Sequence, residues 1–247
     1  MKKLIILVSM GLMLIPATYA QKGLQVGANF MYLSSNIINQ NAWGLGKEYD
    51  YKLTYNSSFG LDVGYNFNEK MGIYTGFWMT TLGQDYTDEY AAEGAENMSS
   101  WERSVKLKYN MIPVMLRFSN SLNRVNFLGG IGVSFAFLNK AEQEWLQDGA
   151  VYGETLENPI TGKEFNVAAT DVKDRFESSD VFLNVELGAR IFVIDELYID
   201  ASLFGAYGFK DINAADWRIE NKDGEYNGSH NAYAGLKIGV AYILFGE

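Results

Sequence analysis

The chain contains one histidine, His230, directly preceded by Ser229. An imidazole beside a serine hydroxyl is the minimum for nucleophilic acyl transfer, because the ring takes the proton that the hydroxyl must lose. This pair is the esterase candidate, at the junction of a loop and the last strand-like segment. The plainer reading of a lone histidine there is a polar turn residue. A second set consists of Asp62, Arg117, Glu186, Arg190, Asp200 and Lys237, each on the polar parity of an alternating apolar segment. Three acids and three bases on one face could form a proton relay or a narrow ion path, since confined charges have altered proton affinities. The plainer reading is a neutral, packed polar plug. Unpaired buried charges cost on the order of several kcal/mol each, so such a set has to pair.

Other chemistries find little support. The absence of cysteine, together with the single histidine, excludes a Cys/His zinc site and a disulfide framework. "TDEYAAEGAE" and "DGEYNG" are acidic but lack EF-hand spacing, and "GLQVGANF" scatters glycines along a strand rather than before a helix. No metal, cofactor or further catalytic group is expected. Trp43, Trp101, Trp145 and Trp217 fall in long polar stretches that also hold most of the acids. They are candidate docking aromatics for a protein partner, since exposed loops carry function and tryptophans anchor interfaces. The plainer reading is local packing on a solvated surface.

The elements that must carry these residues are strands. Eight segments alternate apolar and polar residues: about 24–32, 59–67, 71–82, 105–118, 125–137, 181–191, 197–203 and 236–244. Sustained period-2 patterning is a strand signal, and runs of this order of length suit a tilted crossing of a hydrocarbon layer. Connections alternate strictly between short ones at 68–70, 119–124 and 194–196 and long ones at about 33–57, 84–104, 139–178 and 209–229. Transmembrane barrels segregate loop length in this way. Aromatics cluster at the segment ends: Tyr65, Phe67, Phe118, Phe127 and Tyr242 at one, and Phe30, Tyr32, Phe59, Phe135, Phe137 and Tyr207 at the other. Two interfacial girdles account for that placement. The expected fold is all-β: an eight-stranded antiparallel up-and-down transmembrane barrel with short periplasmic turns and long extracellular loops.

Two details of register follow. A three-residue connection, Ile194-Asp195-Glu196, pairs Val193 with Leu197 and hence Arg190 with Asp200. In the fourth segment the apolar parity runs through Val105, Leu107 and Tyr109 and then switches to Ile112, Val114, Leu116 and Phe118. That switch predicts a β-bulge near Asn110–Met111, where Pro113 would be tolerated.

Residues 1–20 read as a secretory signal peptide: Lys2 and Lys3, an apolar run from Leu4 to Ile15, then Thr18-Tyr19-Ala20. Residues 21–247 are then one exported barrel domain. Removing Lys2 and Lys3 takes the formal charge from −10 to −12, which excludes nucleic acid as a partner recognised by bulk charge.

"LKYNMIPVMLRF" (107–118) resembles the Tyr-x-x-Ile-Pro-x-x-Leu-Lys/Arg-aromatic strand of the PorT-like outer-membrane β-barrel proteins of Bacteroidota. "VNFLGGIGVSFAF" is similar to the Gly-rich strand that follows it in that family, and "LFGAYGFKDI" to its penultimate strand. The resemblance implies a small barrel in the outer membrane, with lipid, lipopolysaccharide and the barrel-assembly machinery as partners. It implies no single activity; a few members act in protein secretion. A non-enzymatic structural, adhesive or secretion-accessory role through the loops is the leading expectation. A small pore or transporter is the alternative, followed by a lipid-modifying esterase. Outer-membrane lipid A deacylases use a His-x-Ser spacing, which is absent here.

Overall fold

The computed structural model describes residues 23–39, 50–68, 70–90, 99–120, 124–158, 160–167, 170–218, 220 and 224–246. The expected signal peptide and Trp43 lie outside the described residues. Eight long strands form a closed antiparallel ring: β1 (Gly23–Asn39), β2 (Thr54–Asn68), β3 (Met71–Tyr90), β4 (Ser99–Ser119), β5 (Val125–Gln147), β6 (Ser179–Phe192), β7 (Leu197–Gly208) and β8 (Ser229–Gly246). Neighbours in sequence pair throughout, and β8 pairs with β1 to close the ring. Among the described residues no helix is long and apolar enough to cross a membrane, so any crossing is made by strands.

The outward parity carries the apolar residues. Val26, Leu61, Phe77, Ile112, Leu187 and Leu236 are all exposed, as are the girdle aromatics Phe30, Phe67, Phe127 and Phe137. Such a continuous apolar band is untenable in water and stable in hydrocarbon.

The walls are taller than the alternation indicates. The stretches 33–39, 54–57, 84–90, 99–104 and 139–147 are strand, not loop. Most of their outward residues are polar, for example Glu102, Lys140 and Glu144, so the sheet continues beyond the lipid into water. Apolar–polar alternation vanishes there because the outer solvent changes while the pairing does not. A two-residue turn, Asp148 (φ 49°) and Gly149 (φ 78°), folds β5 back on itself, with Gln147 opposite Ala150. Asp-Gly suits this reversal because both positions need φ above zero.

The expected bulge near Asn110–Met111 is absent. From Val105 through Leu107, Tyr109, Met111, Pro113 and Met115 to Arg117, every odd residue of β4 is buried in the lumen. The switch in apolar parity marks a change of lumen lining along β4, from Val105, Leu107, Tyr109 and Met111 in the upper lumen to Arg117 in the lower. The irregularity instead lies between Lys108 and Tyr109, where the partner strand skips Asn139. It sits where the wall leaves the lipid, just above Phe137. Pro113 pairs with Ser134 on one side, and the β3–β4 register passes from Thr75–Val114 to Trp78–Met111 without it. Its missing N–H coincides with that gap.

Two inward glycines show how the lumen is filled. A Cβ on Gly60 would lie 2.1 Å from Trp78 Cδ1, and one on Gly64 would lie 2.5 Å from the Tyr74 ring. Each large side chain occupies the space its neighbour lacks.

Candidate functional site

The six charged residues converge in the lower lumen. Strand parity aims Asp62 (β2), Arg117 (β4), Glu186 and Arg190 (β6), Asp200 (β7) and Lys237 (β8) inward, and ring closure brings the strands together. Five of them are 5% exposed or less, and Asp62 is partly buried. Arg190 donates from Nε to Asp200 Oδ1 at 2.9 Å and from Nη2 to Oδ2 at 3.2 Å. Arg117 donates from Nε to Glu186 Oε2 at 2.9 Å, and its Nη1 lies 4.0 Å from Asp200 Oδ2. Glu186 Oε1 accepts from Ser202 Oγ at 2.8 Å and is paired with Lys237 Nζ. The Asp62 oxygens accept from Trp78 Nε1 at 2.7 Å and Asn29 Nδ2 at 2.8 Å.

Ring faces complete the enclosure. Arg117 lies over Tyr74 at 4.3 Å, Arg190 over Tyr198 at 4.0 Å, and Lys237 over Phe204 at 5.3 Å. Below them, Tyr74 Oη donates to Asn66 Oδ1 at 2.8 Å, and the Tyr198 hydroxyl donates to Gln25. These tyrosines and amides extend the cluster and were not singled out from sequence. The signal was available, since Gln25, Asn29, Asn66, Tyr74 and Tyr198 share the inward parity.

Every carboxylate oxygen of the cluster already has a partner, which leaves none poised to receive a proton from a mobile carrier. The void beside Asp62, Arg117, Asp200 and Lys237 is about 20 Å³, room for roughly one water. Above the cluster, Leu82, Leu107, Met111, Phe182 and Tyr233 form an apolar cluster interrupted by buried Asn184 and Asn231, with the loop residues Val172 and Ile212 packed against it. The arrangement is a charge-balanced cluster whose contacts link seven of the eight strands, all but β5.

Ser229 and His230 do not form a catalytic pair. As consecutive strand residues they point to opposite faces. Ser229 is buried, and its Oγ accepts from Asn213 Nδ2 at 3.1 Å. His230 stacks on Tyr207 with ring centroids 5.7 Å apart, and its Nδ1 meets Gly208 O at 3.2 Å. Among the described residues no group of acids and histidine could hold a metal ion.

Of the candidate docking tryptophans, Trp101, Trp145 and Trp217 are each partly buried against aromatic neighbours. Trp101 packs edge-on against Tyr152 at 4.6 Å and against Trp145 at 6.3 Å. Trp217 packs edge-on against Phe165 at 4.8 Å. A bridge between Phe176 and Asn213 ties the third long connection to the fourth. Together with the tall β4–β5 wall they enclose a cup above the lumen. Its arginines, Arg103 and Arg175, carry no periodic signal and were missed.

A family model described as "Outer membrane protein beta-barrel domain" matches residues 18–214. Three solved structures are similar. Neisserial surface protein A is 13% identical, with 90% of this chain and 97% of that one covered and a TM-score of 0.46. Ail, the attachment invasion locus protein of Yersinia pestis, is 13% identical, covering 90% and 99%, with a TM-score of 0.40. OprG from Pseudomonas aeruginosa is 12% identical, covering 92% and 98%, with a TM-score of 0.38. A comparison with curated proteins gives no match.

Proposed function

This chain belongs to the outer membrane protein beta-barrel domain family, and from that premise we propose that it is a non-enzymatic barrel acting through its extracellular face, in a structural, adhesive or secretion-accessory role. The observation that carries this reading is the filled lumen. A self-satisfied charge cluster lies beneath a layer of packed side chains, so the chemistry open to a partner is outside the membrane. Rigid walls that rise beyond the lipid hold the loops, as expected where loops carry function on a fixed scaffold.

The PorT-like assignment is part of the same proposal. The motif has an account in this fold: Tyr109 joins the apolar layer, Pro113 sits at the ladder gap, Arg117 enters the charge cluster and Phe118 stands in the lower girdle. Lys106 and Lys140, exposed just above the upper girdle, suit contact with lipopolysaccharide phosphates. The barrel-assembly machinery is the partner proposed for insertion.

Planar-bilayer recording tests the reading against the pore. The purified full-length barrel is expected to give no discrete conductance steps. Reproducible ohmic openings would replace this function with solute passage.

A further inference from the structure

We propose that the extracellular cup is a binding site for a small organic anion with a flat apolar body, of the aromatic carboxylate class. The cavity is about 490 Å³, within the range of small-molecule sites and far larger than an inorganic anion needs. Trp145, Tyr152, Phe165 and Trp217 give it aromatic walls, and Arg103 and Arg175 are its cations.

The two arginines are held in an unusual way. Arg103 lies over the Tyr86 and Trp145 rings, 5.4 Å from each centroid, and donates from Nη2 to Gln143 Oε1 at 3.1 Å. Arg175 lies over Phe165 at 4.9 Å and Trp217 at 4.6 Å, and donates from Nη2 to the Asn166 carbonyl at 2.9 Å. Neither is in an ion pair among the described residues. The neighbouring Arg218, in contrast, meets Asp211 at 2.9 Å and Glu177 at 3.3 Å. Arg103 Nε and Trp145 Nε1 are buried donors with no partner in the protein. Burial pushes the Arg175 pKa down; Asp174 opposes this and the Arg103 charge adds to it. Two like charges therefore share one cavity without a bound counter-charge, and Glu154, the carboxylate in the lining, is exposed.

A carboxylate supplies what is missing. Guanidinium forks match its geometry, and stacking on rings has already fixed their orientation, so little entropy is lost on binding. The aromatic walls require the remainder of the ligand to be apolar and planar. This site does not depend on whether the loops also dock a protein, since it is filled by a small molecule alone.

The test uses the full-length barrel in lipid nanodiscs, with 2-naphthoate as probe, neutral 2-naphthalenemethanol as its uncharged counterpart and inorganic phosphate as an anion without a body. Binding is read by calorimetry and by quenching of tryptophan fluorescence. Naphthoate is expected to bind at least about tenfold more tightly than the alcohol, with phosphate not competing, and Arg103→Gln and Arg175→Gln each to weaken it about tenfold. Each variant is first shown to be folded by heat-modifiable gel mobility. Equal uptake of naphthoate and alcohol, no saturable naphthoate binding, or binding indifferent to both substitutions in folded protein would overturn the proposal. The comparison between naphthoate and the alcohol needs no variant, so a misfolded substitution does not rescue it.

Discussion

Arg190 stands directly opposite Asp200 across β6 and β7, and its guanidinium grips both carboxylate oxygens, at 2.9 and 3.2 Å. Removing one partner strands the other in the lumen. Asp200→Ala is expected to destabilise the barrel by about 3–5 kcal/mol, with Tyr74 and the Tyr198 ring too weak to compensate. Replacing both, as Arg190→Met with Asp200→Leu, should recover most of that loss. Guanidinium-chloride unfolding in detergent measures both; a double variant no more stable than Asp200→Ala would refute the pairing argument.

That pairing was legible because three connecting residues and the period of two leave one register with both apolar rows outward. The lining was not. Leu107 and Tyr109 alternate as a lipid-facing row would, yet they are buried in the upper lumen, because alternation reports two different faces without saying what meets each. The cup was equally hidden: Arg103, Trp145, Arg175 and Trp217 are brought together only by ring closure and by loops bridged at Phe176 and Asn213.

Gly60 makes room for Trp78. Gly60→Ala would place a methyl 2.1 Å from the indole and is expected to cost about 1–3 kcal/mol. The same change in a Trp78→Leu background should cost clearly less. Additive losses in unfolding experiments would show that the two positions are not coupled.

Glu142 bridges two lysines that face each other across β4 and β5, meeting Lys108 at 2.8 Å and Lys140 at 2.5 Å. The Lys108 hydrogen bond, then that of Lys140, draws its carboxyl down to about 2. A depressed value in the fold means the bridge is fully present above the ordinary glutamate value near 4.3 and is lost as pH falls through about 2. Carboxyl-selective NMR at pH 3.5 should still find Glu142 ionised. At neutral pH Glu142→Gln should cost about 1 kcal/mol or less, since the pair is solvated.

The chain has no cysteine, so single cysteines can map the lipid boundary without background. A membrane-impermeant maleimide added to intact cells is expected to label Lys106→Cys and to spare Val114→Cys, although both side chains point away from the lumen. Asp195→Cys, in a short turn on the periplasmic side, should react only after cell lysis. Labelling of Asp195→Cys on intact cells would invert the orientation.

The seam between β1 and β8 joins the two ends of the domain, with Gly23 opposite Gly246, a separation of 246 − 23 = 223 residues. Every other ladder in the ring joins strands that follow one another in sequence, but this one must wait for the rest of the circle. Until it forms, both terminal strands are open edges whose backbone donors and acceptors would each cost several kcal/mol in hydrocarbon. Folding and membrane insertion therefore cannot be sequential steps for this chain. The last backbone hydrogen bonds to form are those that make the protein soluble in lipid at all.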